Sequence, residues 1–397
     1  MQQATTPDLV IFESHPIQYR APVYSRLEQL QPARFHVAYG SDFSIQGYRD
    51  PGFASSFAWD SNLLQGYSFS FLRNQQTEPL GGWGSLDGKG IAELLDRLQP
   101  KAILLNSLNY RFDHVAYLAA LTRGLQVWMR CETQDQAFRR SGLKNVLRSM
   151  YYTTLYSRLD RAFPIGSLSR DHWLRHGLKP KQLSHANYCT PNPLAGFPSS
   201  VLLERRNDLR DRLDLLPSSH LVAFFGKFIP KKDPQLLFSC IDHLQTDSRT
   251  HLSLVFVGSG SLDAELHLMA DRAKRDFGIQ SYFPGFINQQ ALPDWYLAAD
   301  TVVLPSRRMG ETWGLVVNEA LQAGCNVVVS DAVGCSADFG SWERVRVIPE
   351  GSCTALAIAL ESLSALPRDF HWANDLLQSY SIDSAAQSLS TAMDDLA

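Results

Sequence analysis

Several absences narrow the chemistry of this chain before any motif is read. No Asp-x-Asp occurs in it, so the simplest two-carboxylate cradle for a divalent ion is missing. Its six cysteines, Cys131, Cys189, Cys240, Cys325, Cys335 and Cys353, are scattered, with no C-x-x-C and no histidine pair beside them. That pattern argues against a structural zinc site and for a reducing compartment. Positive charge is not in excess: 37 Lys and Arg stand against 40 Asp and Glu, a net charge of −3, which argues against nucleic acid as a partner. Long apolar runs are absent too. Met1 to Asp8 carries no basic segment and the apolar run after it is only Leu9 to Phe12, so neither a signal peptide nor a membrane span is expected, and the expected location is cytoplasmic. No short repeat or low-complexity tract is visible.

What is present is an ordinary folded composition, 45% apolar and 19% charged over 397 residues, long enough for two or three domains. Short apolar runs alternate with helical periods. In the first half the expected strands are Leu9 to Phe12, Phe35 to Tyr39, Ala102 to Leu105, Gln126 to Met129 and Ala162 to Ile165, with helices between them. Residues 41–90 lose periodicity, which marks a long functional or mobile loop. Pro191-Asn192-Pro193 and the polar, unpatterned stretch from Ser199 to Ser219 form the best boundary. A second series follows, with strands Leu221 to Phe225, Leu252 to Val257, Ile279 to Phe283, Thr301 to Leu304 and Asn326 to Val329. The last stretch, Trp372 to Leu396, reads as one amphipathic helix. The expected organisation is an α/β protein of two doubly wound, Rossmann-like domains facing across a cleft, residues 1–195 and 196–371, with 372–397 crossing back to the first.

The most informative stretch runs from Gly310 to Glu319, two glutamates, Glu311 and Glu319, separated by seven residues and opening a helix directly after a buried strand. Free N–H groups of a first helical turn, here near Gly314, Leu315 and Val316, favour an anion. Glu319, about a turn and a half further in, suits sugar hydroxyls better than phosphate. The plainer alternative is a first-turn Glu that complements the helix dipole and a Glu319 that faces solvent. Gly226-Lys227, with Lys232 five residues on, follows the first strand of the second half, and two lysines there can converge on a diphosphate or form a solvated basic loop. Val257-Gly258-Ser259-Gly260 and Phe283-Pro284-Gly285-Phe286-Ile287 repeat the strand-then-glycine turn. All of these fall at the carboxyl ends of successive strands, where a nucleotide lies in an open α/β sheet.

Gly226-Lys227 with Lys232, Val257-Gly258-Ser259-Gly260, Phe283-Pro284-Gly285, Pro305-Ser306 with Glu311 and Glu319, Ala323-Gly324 and Ser330-Asp331-Ala332-Val333-Gly334, taken in that order, resemble the donor domain of glycosyltransferase family 4. This is the large group of retaining GT-B enzymes, the glycosyl transferases group 1. The similarity is strong over about residues 220–340 and looser in the first half. It implies transfer of a sugar from a nucleoside-diphosphate sugar to an acceptor hydroxyl with retained configuration, in bacterial glycan or glycolipid synthesis. By that resemblance Lys227 and Lys232 hold the diphosphate, Glu319 the ribose and Glu311 the donor sugar. Backbone at Gly314, Leu315 and Val316 meets the distal phosphate, and backbone at Phe286 and Ile287 the base. Gly226 and Gly258 line the donor. Two lysines and a helix N-terminus stabilise a departing diphosphate without a metal, so no cofactor and no metal are expected.

The first half departs from the common pattern twice. Where many members carry a Gly-Gly turn, this chain has Ser14-His15-Pro16-Ile17-Gln18-Tyr19; His15 can approach diphosphate or acceptor, or be a structural histidine held by its loop. After the strand Gln126 to Met129, where a histidine is common, stand Arg130-Cys131-Glu132-Thr133. Glu132 can take a sugar-binding role with Arg130 orienting it or meeting a phosphate, or the two can form a structural pair. Residues 138–159 carry Arg139, Arg140, Lys144, Arg148 and Arg158 without an acidic residue, and Leu143, Val146, Leu147, Met150 and Tyr151 share one helical face. That helix either covers the core of the first domain or makes a peripheral contact with an anionic membrane. The competing functions are an epimerase or phosphorylase on the same fold, and a non-catalytic nucleotide-sugar-binding subunit.

Overall fold

The computed structural model describes residues 6–45, 48–50, 55–57, 62–72 and 80–396, so residues 1–5, four short parts of the aperiodic 41–90 stretch and residue 397 lie outside the described residues. Two six-stranded parallel sheets organise the chain. The first runs in the order Phe69–Phe71, Phe35–Tyr39, Leu9–Glu13, Ala102–Leu105, Gln126–Met129, Arg161–Ala162. The second runs Gln280–Gly285, Leu252–Val257, His220–Phe225, Thr301–Leu304, Asn326–Ser330, Val345–Ile348. Counted along the chain, both sheets have the order 3-2-1-4-5-6 of a dinucleotide-binding fold. The central strands are continuous apolar runs because helices cover both faces; every residue of Leu9–Glu13, Ala102–Leu105, Leu252–Val257 and Thr301–Leu304 is buried. Each sheet reverses its winding between its first and fourth strands, and that is where a crevice opens at the carboxyl ends.

Three expectations need correction. The stretch from Ser199 to Ser219, read as an unpatterned linker, contains a 14-residue helix, Ser199–Arg212. Its buried face consists of Leu202, Arg206, Leu209 and Arg210. The two arginines are buried because Asp300 pairs with both and the carbonyls of Leu297 and Ala298 accept from them. Two edge strands, Phe69–Phe71 and Val345–Ile348, were not expected: the first is three residues inside an aperiodic stretch and the second is interrupted by half-exposed Arg346 and exposed Val347. The terminal stretch is not one helix. Phe370, Ala373 and Leu377 pack in the core of the second domain, a turn at Gln378–Tyr380 follows, and only Ile382–Asp394 is a continuous helix.

That last helix packs on the first domain, with Ala385, Ala386, Leu389, Ala392 and Met393 in the same core as Leu9, Ala21 and Leu27. Polar ties fix it there: Arg26 to Asp383 at 2.6 Å, Gln31 to Ser390 at 2.8 Å and Lys101 to the carbonyl of Leu396 at 2.7 Å. The two domains also meet directly. Gly310 N–H donates to Ala137 O at 2.8 Å, Asn318 to Tyr188 O at 3.2 Å, and Ser167 N–H to Asp338 at 3.0 Å. A cleft is left between the Ser14–Tyr19 loop of the first domain and the strand ends of the second.

Candidate functional site

Three cavities share that cleft: one of about 360 Å³ beside Pro191, Pro193, Leu194 and Gln322, which has Tyr296 and Glu319 in common with its neighbour, and an upper and a lower one. The upper one, about 360 Å³, is walled by His15 to Tyr19 on one side and by Gly226, Gly258, Phe286, Ile287, Tyr296, Val316 and Glu319 on the other. The lower one, about 460 Å³, runs from His15 and Arg20 past Asn106, Glu132 and Arg148 to Gly310 and Thr312. His15 and Ile17 line both, so they stand at the passage between them.

The floor of the upper cavity is shaped by glycines whose backbone no other residue can adopt cheaply. Gly226 has φ 141° and Gly258 φ 143°, and a Cβ on Gly258 would sit 2.0 Å from the Gly226 carbonyl oxygen. The two strand-end turns therefore lie against each other with open backbone toward the cavity. Gly314, at φ 103°, caps the helix Leu315–Gln322, whose first turn brings Val316 to the wall of the upper cavity.

Charge gathers at the turn after Thr301–Leu304. Glu311 is buried and accepts from Lys232 at 2.6 Å and from Ser306 Oγ at 3.2 Å, with Lys231 Nζ at 3.8 Å. Burial opposes its ionisation, but the ammonium groups of Lys232 and Lys231 outweigh burial and hold the carboxyl below its usual range. Lys231 donates to Gly310 O at 2.9 Å, and burial lowers its own pKa against the attraction of Glu311. Lys231 was not singled out from the sequence; its only signal there was adjacency to Lys232. Lys227 lies in the adjacent turn, after His220–Phe225, and is half-buried.

Glu319 sits one and a half turns along the helix, on the wall of the upper cavity, and does not face bulk solvent. Tyr296 donates to it at 2.7 Å and Tyr19 from the first domain also bonds it, yet burial dominates and pushes its carboxyl up to about 7. Tyr296 itself stacks on Phe225 with ring centroids 4.0 Å apart, which fixes its hydroxyl. Phe286 and Ile287 add apolar wall to this cavity.

The first domain supplies a buried ionic chain beneath the lower cavity. Arg20 bonds Glu13 at 2.7 Å and Glu132 at 3.2 Å, Tyr24 donates to Glu13, and Asn106 donates to Tyr24. Glu132 also accepts from Tyr188 at 2.6 Å and from Thr312 of the second domain at 3.1 Å, beside Glu311. Arg130 is not its partner. The Arg130 guanidinium donates to the carbonyls of Ala186 and Asn187 and lies 5.4 Å from the Tyr188 ring, a structural role in which backbone carbonyls and an aromatic face take up its charge. His15 is held by Ser14 Oγ at 3.0 Å and packs edge-on against Phe43. Burial first, then Arg20, lowers its pKa to about 4, so its ring is neutral at pH 7.

Two other clusters are structural, although the first borders the lower cavity through Arg148. Asp135 gathers His172 at 2.8 Å and Arg175 at 2.7 Å, together with Arg148, and His176 lies 3.6 Å away. Two guanidiniums already balance that carboxylate, so the cluster ties together the helices Gly142–Tyr156 and Ser167–Arg175. A cavity of about 290 Å³ opens at the opposite end of the second sheet and is lined by Arg206, Arg344 and Arg368. Their guanidiniums are spent on carbonyls of Leu297, Pro367 and Ala323, and no strand carboxyl end faces it.

Comparison with known proteins fits this geometry. The family model Glycosyl transferases group 1 matches residues 206–372, the part that carries the lysines and both glutamates of the cleft. A D-inositol 3-phosphate glycosyltransferase of Xylanimonas cellulosilytica is 35% identical over 133 residues, covering 32% of this chain and 30% of that protein. Matches of this kind span 30 to 51% of the length of the first curated relatives. Among solved structures, a glycosyltransferase from Rickettsia africae superposes with a TM-score of 0.67 at 10% identity, covering 98% of both chains. Anabaena HepE in complex with UDP gives 0.63 at 15% identity, covering 98% of this chain and 96% of that one. The architecture is the GT-B fold, two Rossmann-like α/β domains.

Proposed function

We propose that this protein is a nucleotide-sugar-dependent glycosyltransferase whose donor occupies the upper cavity and whose acceptor enters through the lower one. The observation that carries the reading is the convergence of Lys231, Lys232 and the N-terminus of Leu315–Gln322 around Glu311, at the switch point of a sheet whose neighbouring glycine turns leave backbone open. Positive charge and free N–H groups there suit a diphosphate, with Lys227 from the adjacent turn beside them. Glu319, deeper in the cavity, is placed for ribose hydroxyls, and Phe286 and Ile287 for the base. Glu311 is left for the hydroxyls of the transferred sugar, close to where Glu132 and Thr312 meet the lower cavity. The UDP held by HepE makes uridine the first base to test.

In the transfer, the acceptor hydroxyl oxygen bonds to the anomeric carbon as the bond from that carbon to the β-phosphate oxygen breaks. The hydroxyl proton ends on the departing diphosphate, and the nucleoside diphosphate leaves. The lysines and the helix N-terminus meet the negative charge that grows on the leaving group, so they lower the barrier more than contacts made equally in the ground state. We assign the reaction retention of configuration and independence from metal. The support is the order of motifs over residues 220–340 and the presence of cationic groups where a metal would otherwise neutralise the diphosphate. Calorimetric titration with uridine, guanosine and adenosine diphosphate sugars tests the reading. One class should bind to the wild type and at least tenfold more weakly to Lys232→Ala, since a charge-assisted contact contributes about 1.5–3 kcal/mol. Binding of none, or equal binding to both proteins, would remove it.

A further inference from the structure

The helix Gly142–Tyr156 was expected either to bury its apolar face in the first domain or to leave it for a membrane, and the structure leaves it bare. Leu143 is 72% exposed, Val146 56%, Leu147 59% and Met150 63%, while only Leu155 and Tyr156 of this helix are buried. Residues 141–147 are exposed without exception. The patch is continued by exposed Tyr151 and by Trp83, whose ring lies 4.6 Å from that of His114, which in turn bonds Tyr151 at 3.3 Å. Apolar surface this continuous marks an interaction face, and the surrounding charge says what kind. In a chain of net charge −3, residues 136–159 hold five basic side chains and no acidic one. Arg148 is turned inward to Asp135 and Arg139 pairs with Glu350, but Lys144, Arg158 and, on the neighbouring helix, Arg111 are exposed.

We propose that this face docks on an anionic lipid bilayer surface, with Leu143, Val146, Leu147 and Met150 entering the headgroup boundary and Lys144 and Arg158 meeting lipid phosphates. An aromatic pair at the rim, Trp83 and Tyr151, suits the same boundary. The docking stands whether or not the donor assignment holds. It has a consequence for the lower cavity, because Phe138, Arg140, Arg148 and Tyr152 from the same segment line it. The mouth of that cavity then lies beside the headgroups, within reach of an acceptor carried on lipid.

Sedimentation of the full chain with vesicles of phosphatidylcholine, with and without phosphatidylglycerol, tests the proposal. Binding should require the anionic lipid and weaken as salt is raised. The exposed double variant Leu143→Ser/Leu147→Ser should lower partitioning by about tenfold or more, and Lys144→Glu by roughly fivefold per unit of positive charge lost. Both should unfold at the wild-type denaturant concentration, which separates lost docking from lost folding. Binding to neither vesicle, or equally to both, overturns the proposal. So does a dimer seen by light scattering without lipid that dissociates in the Leu143/Leu147 variant, since the face would then belong to a second copy of the chain.

Discussion

Removing Lys232 should do more than weaken a ligand contact, because it strands a carboxylate. Glu311 and Lys232 are both largely buried, with side-chain exposures of 10% and 17%, and lie 2.6 Å apart. Breaking such a pair from one side costs about 3–5 kcal/mol. Lys231 at 3.8 Å and Ser306 at 3.2 Å remain for Glu311, so Lys232→Ala should cost roughly 2–3 kcal/mol at pH 7. The pH dependence carries the sign. In the wild type the lysines hold Glu311 below its ordinary 4.5, so its contribution is present above that pH and is lost as pH falls through the lower folded value. In Lys232→Ala burial, the largest influence on Glu311, should prevail and raise the carboxyl, so that the variant loses stability as pH rises above 4.5 and regains it in acid. Adding Glu311→Gln removes the stranded charge, so the double variant should be more stable than Lys232→Ala alone. Denaturant unfolding of all four proteins, followed through the buried Trp313, measures this. Additivity within about 0.5 kcal/mol would refute the pair as described.

Three further outcomes follow from the same site. Glu319, pushed up to about 7, binds its proton more tightly folded than unfolded, so the wild type should lose stability between pH 4.5 and 7; Glu319→Gln should remove that slope, stabilising by on the order of 1–3 kcal/mol at pH 8, while calorimetry shows weaker donor binding. Gly258→Ala places a Cβ 2.0 Å from a carbonyl oxygen at φ 143°, so donor affinity should fall about tenfold or more with little change in circular dichroism; unchanged affinity would mean the two turns do not form the donor floor. Activity should persist in excess chelator, and Glu311→Gln should lower kcat more than donor affinity; loss of activity restored by a divalent metal would overturn the metal-free mechanism.

Much of the architecture was legible because its signal is local. Leu9 to Phe12 and Thr301 to Leu304 are unbroken apolar runs, as strands buried on both faces must be, and the glycine turns after Leu221 to Phe225 and Leu252 to Val257 announce where backbone must stay open. The helix Ser199–Arg212 was illegible because two of its buried positions are arginines, tolerated there by Asp300 and the carbonyls of Leu297 and Ala298, about ninety residues on. The chain Glu13–Arg20–Glu132 was hidden for the same reason: its two links join residues 7 and 112 apart, and no spacing rule brings them together. Arg130 and Glu132, adjacent but for one residue, do not pair, because each finds partners distant in the chain: the carbonyls of Ala186 and Asn187 for Arg130, and Arg20, Tyr188 and Thr312 for Glu132. An amphipathic period in 142–156 told that one face is apolar; what covers it depends on tertiary packing, and here none of the described residues of the first domain does.

The account's central claim is a place, and a crystal structure with the nucleoside-diphosphate sugar selected by calorimetry tests it most directly. The diphosphate should lie between Lys231, Lys232 and the first turn of Leu315–Gln322, with the ribose on Glu319, the base against Phe286 and Ile287, and the sugar toward Glu311. Nucleotide density in the arginine-lined cavity at the other end of the second sheet, or a diphosphate away from those lysines, would contradict it.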